Sequence, residues 1–211
     1  MIKENQKLLN QIQVVLDGIV IILAYALSWY IRFRSGIFEL DEWYLSLQEY
    51  MKWLWGIVPG FLMLYYIFKL YVPKRVLGRR LEAWRILQAN VIGVMALIVV
   101  LYVIKQPNIS RTMLFVFGVV DVFGEVLERN LVRMILRKIR KNGHNLKHII
   151  LVGYSNAAEE YIDRIKANPE WGYQIRGILD DSIEIGSEYK GINVIGCTDD
   201  LQIILPENKL D

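Results

Sequence analysis

The sequence predicts two parts. Residues 1–142 read as an α-helical membrane bundle of four transmembrane helices with a basic linker, and residues 143–211 as an incomplete α/β domain. Three observations predict this. Apolar runs of about 20 residues recur before residue 131, and as helix such a run spans about 30 Å, the thickness of a bilayer core. Basic residues cluster beside those runs, as expected against an anionic cytoplasmic leaflet rather than nucleic acid. From residue 143 the apolar runs become short and are broken by turn residues, as in a soluble fold. The chain has 211 residues, 54% apolar and 22% charged, which excludes disorder, collagen and a disulfide scaffold. The single cysteine, Cys197, closes no intrachain disulfide.

The first span runs from Val14 to Phe33. It is too long for the core of a cleavable signal and lacks a small-x-small cleavage site, so it reads as retained. The second runs from Trp53 to Val72 and the third from Ile86 to Ile104, with Trp29, Tyr30, Trp53, Trp55 and Tyr71 near the ends, where aromatic belts form. The fourth, Thr112 to Leu131, contains Asp121, Glu125, Glu128 and Arg129. A mid-span Asp costs about 2.5–3.5 kcal/mol on insertion, and each Leu, Ile, Phe or Val returns only about 0.3–0.6. This helix is therefore marginal alone and needs neighbours. Lys3 and Lys7, the Lys74–Arg85 cluster and the Arg133–Lys141 cluster alternate with the acidic loop Glu39–Glu49, which places both termini in the cytoplasm after four crossings.

The soluble part opens at Asn142-Gly143, a helix stop. His148–Gly153 is a continuous apolar run, as in a parallel strand buried on both faces. Asn156 to Ala167 follows as an amphipathic helix, stopped by Asn168-Pro169. Gln174–Leu179 and Ile192–Ile195 are further strands, and a second helix is expected near Thr198, with Asp199 and Asp200 in its first turn. This order is that of an opening Rossmann-like sheet. Its size, about 65 residues, leads us to expect an incomplete domain.

Two places carry candidate chemistry. The turn Gly153-Tyr154-Ser155-Asn156-Ala157-Ala158 sits where a G-x-G-x-x-G fingerprint would, but keeps only its first glycine. Gly153, Ser155, Asn156 and the strand-ending Asp180 are the candidate nucleotide-binding residues, with a non-binding relic of the fold as the competing reading. Asp121, Glu125 and Glu128, spaced i, i+4, i+7, share one face of the fourth span, with Asp17 at similar depth in the first. Intramembrane acids serve either interhelical pairing, including an i, i+4 pair of Glu125 with Arg129, or proton or headgroup chemistry. His144 and His148 straddle a loop and a strand start and complete no ligand set, so no metal site is expected. The Lys74–Arg85 cluster is first a topology determinant and second a candidate contact for anionic lipid. There is no triad, nucleophile elbow or P-loop.

Several segments together resemble the N-terminal region of bacterial polyprenyl-phosphate sugar-1-phosphate transferases. They are Ser110-Arg111, Arg137–Gly143, Ile150–Gly153, Asn168–Tyr173, Gly177–Asp181, Val194–Gly196 and Asp199–Leu201. In particular the chain looks like the large undecaprenyl-phosphate glucose or galactose phosphotransferases of exopolysaccharide and capsule synthesis, and its auxiliary domain is expected to be CoA-binding-like. The resemblance implies transfer of a hexose-1-phosphate from a UDP-sugar to undecaprenyl phosphate at the cytoplasmic leaflet. It also implies the bacterial inner membrane as location and the bilayer as partner, with a homo-oligomer left open. In that family a further domain carries the Asp-Glu pair and Mg²⁺, so no catalytic residue and no resident cofactor is assigned here. Asp180-Asp181 is not that pair. Two other readings stay open: the N-terminal half of a membrane-bound nucleotide-sugar 4,6-dehydratase, and a non-catalytic membrane scaffold of glycan assembly.

Replacing the mid-span acid tests the marginal-helix picture. Asp121→Leu is expected to leave insertion intact or favour it by about 3 kcal/mol. Glycosylation-site mapping reads the outcome, and loss of the topology would contradict the picture.

Overall fold

The computed structural model describes residues 2–38, 45–71, 78–106 and 109–201. The chain divides into two compact units, Met1–Leu131 and Val132–Asp211.

The first unit is helical. It comprises α1 (Ile2–Arg34), α2 (Leu47–Lys52), α3 (Leu54–Ile67), α4 (Arg79–Val103) and the start of α5 (Arg111–Lys141). Ser46 opens α2 through a capping box: its hydroxyl accepts from the Glu49 N–H, and the Glu49 carboxylate accepts from the Ser46 N–H. α3 ends in a Schellman motif without glycine. Lys69 takes a left-handed conformation (φ 55°), while Leu70 N–H donates to Tyr65 C=O and Lys69 N–H to Tyr66 C=O. Lys105 ends α4 in the same way.

Rings fill the core. Phe117 lies edge-on to Tyr25 and to Phe61, each with centroids 5.3 Å apart, and Tyr25, Phe61 and Phe117 are buried. Glycine lets α4 close on α3: a Cβ at Gly93 would lie 2.8 Å from the Phe61 ring.

Two helical segments, Leu8–Arg34 and Arg79–Val103, are long and apolar enough to cross a membrane. They contain the expected first span and, but for Ile104, the expected third. The expected second span is shorter as helix: α3 starts at Leu54, after the turn at Trp53 that ends α2, and the Schellman motif stops it after 14 residues. The expected fourth span lies within α5, which has the length, at 31 residues, but carries the charges already named. Length and apolar composition thus single out two of the four.

The second unit holds a small mixed sheet of β1 (Lys147–Val152), β2 (Tyr173–Leu179), β3 (Glu188–Tyr189) and β4 (Ile192–Gly196), in the order β1-β2-β4-β3. β1, β2 and β4 are parallel, and β3 is antiparallel to β4. The helix α6 (Asn156–Ala167) connects β1 to β2, as in a Rossmann-like opening. Ile162 of α6 packs with Ile178, Ile192 and Val194, flanked by Leu151 and Ile175.

β1, α6 and β2 form as expected to within a residue. Three points differ. β1 is an edge strand and only half-buried, with Val152 55% exposed, so the expectation of burial on both faces fails. β3 is an addition: Lys190 and Gly191 both have positive φ (50° and 76°), which makes the two-residue hairpin turn between β3 and β4. Near Thr198 the structure shows a 3₁₀ turn, Thr198–Asp200, and the rest of the expected helix lies outside the described residues.

Gly177 has a steric role. A Cβ there would lie 2.7 Å from two atoms of the Ile195 side chain, so Ile195 rests directly on the β2 backbone. Gly177→Val is expected to destabilise the sheet by about 1–3 kcal/mol through overpacking. Ile195→Ala in the same chain should recover part of this. Hydrogen exchange of the β2 amides measures both.

Candidate functional site

In the second unit the β1–α6 turn lies at the carboxyl ends of the parallel strands, where open α/β sheets bind ligands. Gly153 has φ 80° and open space where a Cβ would be. Its N–H donates to Leu179 C=O at 2.8 Å, and Asp180 N–H donates to Gly196 C=O at 3.1 Å. These two bonds lace β1 to β2 and β2 to β4. Ser155 is the N-cap of α6, its hydroxyl accepting from Ala158 N–H at 3.4 Å, and Asn156 begins the helix. Asp180 reaches this turn: one carboxylate oxygen accepts from Tyr154 N–H (2.6 Å), the other from Ser182 N–H (2.8 Å) and the Ser182 hydroxyl (2.5 Å). The structure therefore brings all four candidate residues together.

Their roles are more local than the fingerprint implies. Three of about four acceptor positions on Asp180 are taken by protein donors. Those bonds, the Ser182 hydroxyl first, hold its carboxyl below the usual range. Its geometry is that of a group that fixes the turn, and it does not fit the free acceptor that a coenzyme ribose needs. Asp181 works similarly, accepting from Thr198 N–H at 2.7 Å and the Thr198 hydroxyl at 2.6 Å.

A clasp missed at the sequence level lies beside the turn. The Tyr154 hydroxyl donates to Glu159 at 2.6 Å, which pushes the phenol up to about 12, and its ring meets that of Tyr189 at 4.4 Å between centroids. Lys190 donates to Asp163 at 2.6 Å, and Lys166 donates to the Lys190 carbonyl. The available signal was Tyr189-Lys190-Gly191-Ile192, a hairpin turn with an unusual first residue. His144 and His148 do not converge: His148 accepts from Arg176 Nε at 3.1 Å, and His144 lies against the Asn142 carbonyl.

The first unit has a polar interior. Arg129, 2% exposed, meets Asp17 of α1 at 2.8 Å, Glu82 of α4 at 3.5 Å and Glu125 of its own helix at 3.8 Å. It also donates to the Leu70 carbonyl at 3.2 Å. Gln13 Nε2 donates to Asp17 at 2.6 Å and to Glu128 at 2.8 Å. One turn before Glu125 on α5, Asp121 accepts from the Tyr65 hydroxyl at 2.7 Å, and Asn90 donates to that hydroxyl at 3.1 Å. Asp17, Glu125 and Glu128 each bring a carboxylate oxygen within 4.8 Å of the others. The shared face of α5 and the Glu125–Arg129 pair are as expected from spacing. Gln13, Tyr65, Glu82 and Asn90 went unread, although Gln13 precedes Asp17 by one turn and Asn90 is a polar residue inside an apolar run.

A small mixed sheet with parallel β1, β2 and β4, opened by a strand–turn–helix and preceded in the chain by long apolar helices, defines an α/β unit that follows a helical one. Residues 66–211 match the family described as a CoA-binding domain, and the chain belongs to that family. This domain occurs in polyprenyl-phosphate sugar transferases and related enzymes. No curated protein matches the chain.

The lowered carboxyl of Asp180 sets a pH dependence. A depressed folded value means that the carboxylate stabilises the turn above its ordinary value of about 3.9 and that this is lost as pH falls through the folded value. Amide NMR of Tyr154 and Ser182 should shift together in that acid range, and Asp180→Asn should abolish the joint transition.

Proposed function

We propose that residues 1–211 are the membrane-anchoring and auxiliary region of a polyprenyl-phosphate sugar transferase. On this reading the enzyme passes a hexose-1-phosphate from a UDP-sugar to undecaprenyl phosphate, with four crossings and both termini cytoplasmic. The observation that carries the membrane part is the inverted radial distribution of the first unit. Asp17, Asp121, Glu125 and Arg129 are buried, while Phe115, Val119, Phe123, Leu127 and Leu131 lie 43–73% exposed on the other side of α5. That exposed stripe recurs every four residues over about 24 Å of helix. In water such a surface is unfavourable; against lipid chains it is the ordinary outer face of a span. This supports α5 as a crossing despite its charges. α1, α3 and α4 carry similar outer faces, including Leu23, Met63 and Val99.

The family match supports the auxiliary role of the second unit. Within it, Gly153, Ser155 and Asn156 present the turn to a phosphate-bearing ligand, and Asp180 holds that turn in shape. The phosphoryl transfer itself is assigned to none of the described residues, and Mg²⁺ belongs with that chemistry.

Topology and activity test the reading separately. Single cysteines in the 35–46 and 104–110 segments should react with impermeant maleimide from outside the cell, and cysteines at either terminus only after lysis. The purified chain in nanodiscs with UDP-glucose and undecaprenyl phosphate should release no UMP. Turnover would refute the auxiliary role, and terminal labelling from outside would refute the topology.

A further inference from the structure

We propose that a groove between the end of α4 and the start of α5 holds one anionic phospholipid, with its acyl chain along an apolar wall and its phosphate at Lys105 and Arg111. The site goes beyond the transferase reading and rests only on the membrane setting and topology proposed with it, which put this end of the helical unit at the outer leaflet. The groove has a volume of about 750 Å³. Sites for small molecules occupy about 300–1,000 Å³.

The lining changes character along the helices. Ile98, Leu101 and Leu114 supply hydrocarbon, and Lys105, Gln106 and Arg111 stand where α4 ends and α5 begins. Leu101 and Leu114 are buried and Tyr102 is exposed, so the groove has a packed floor and an open rim. From Ile98 to Val103 the wall of α4 is about 8 Å long as helix. That matches the part of an acyl chain nearest its headgroup, held beside the polar end.

Charge complementarity selects the occupant. The charged residues lining the groove are Lys105 and Arg111, with no acid among them. Both are exposed, and neither side chain has an ion pair or hydrogen bond among the described residues. The sequence from 104 to 112 likewise holds these two cations and no Asp or Glu. Two ordinary reasons for a basic residue fail here. The positive-inside tendency gathers Lys and Arg on the cytoplasmic side, and this pair lies on the opposite one in the proposed topology. A cation suits the negative end of a helix, yet Arg111 is the first residue of α5, at its positive end, with no acid in the first turn. A phosphate at the rim offsets both side chains. A soluble anion would leave the apolar wall uncovered, and a zwitterionic headgroup brings its own cation. An anionic phospholipid satisfies both ends of the groove.

The test uses the full chain in nanodiscs of phosphatidylglycerol and phosphatidylcholine in equal amounts, one of the two carrying a photoreactive diazirine in its acyl chain. Peptide mass spectrometry locates the adducts after illumination. Adducts on residues 98–103 and on Leu114 should be at least about fivefold more abundant when phosphatidylglycerol carries the label. Lys105→Gln combined with Arg111→Gln should bring that ratio to about one. Ile98→Trp, which fills the groove and leaves both cations, should lower the adducts on Leu114 with either label. Equal labelling of the unaltered chain by the two lipids overturns the site and shows bulk lipid only. So does an unchanged ratio in the folded double variant. Should the double variant fail to fold, the ratio in the unaltered chain and Ile98→Trp decide. The maleimide experiment keeps the two readings apart. Inverted topology overturns the membrane reading together with the outer-leaflet placement, whereas the expected topology with equal labelling overturns the groove alone.

Discussion

A guanidinium withdrawn from water must find its counter-charges inside the protein, and the helical unit is arranged around that demand. Arg129 draws carboxylates from α1, α4 and its own helix, and it accepts no substitute from solvent at 2% exposure. Desolvating such ions is costly, and leaving one without its partner typically costs about 3–5 kcal/mol. The register of α1 against α5 is therefore set by charge as well as by the Tyr25–Phe117 contact. The rings of Tyr25, Phe61 and Phe117 then fill the space beyond, and Gly93 lets α4 close on α3. In a lipid setting this division is expected, since apolar faces gain little from meeting each other and polar groups gain much.

The α/β unit applies the same rule on a smaller scale. Asp180 and Asp181 end β2 and turn in different directions, one to the β1–α6 turn and the other to the 3₁₀ turn after β4. Backbone groups at the carboxyl edge of the sheet are thereby satisfied within the protein. The Tyr154–Tyr189 contact and the Lys190–Asp163 bond add a second tie between the hairpin and α6. A turn tied in this way is fixed from two sides.

Legibility followed the range of the interaction. β1, α6 and β2 could be read because periodicity, the Ser155 cap and the Asn168-Pro169 stop are local signals. The hairpin was missed because Lys190 is a poor sequence signal for positive φ, tolerated here because its side chain bonds Asp163 and Glu159. β1 was read as doubly buried because an apolar run does not reveal whether its strand lies at an edge. The acids of α5 could be placed on one face from spacing alone. That Arg129 also meets Glu82, 47 residues away, depends on the packing of α4 and leaves no local trace. The end of α3 was hidden for a similar reason: apart from Lys69 the stretch Phe68–Tyr71 remains apolar, and the left-handed conformation of Lys69 stops the helix.

The Asp17–Arg129 pair joins residues 112 apart in the chain. At a ribosomal rate of about 5–20 residues per second, Asp17 is made on the order of 5–20 s before its counter-ion exists. In the proposed membrane setting α1 must persist through that interval with an acid in its apolar run. Gln13, one turn away on the same helix, is present from the outset and donates to that acid at 2.6 Å. It can act as a provisional partner during biogenesis, shielding Asp17 until α5 emerges. When α5 arrives, the same amide reaches across to Glu128, so the group that protects the early helix also receives the late one.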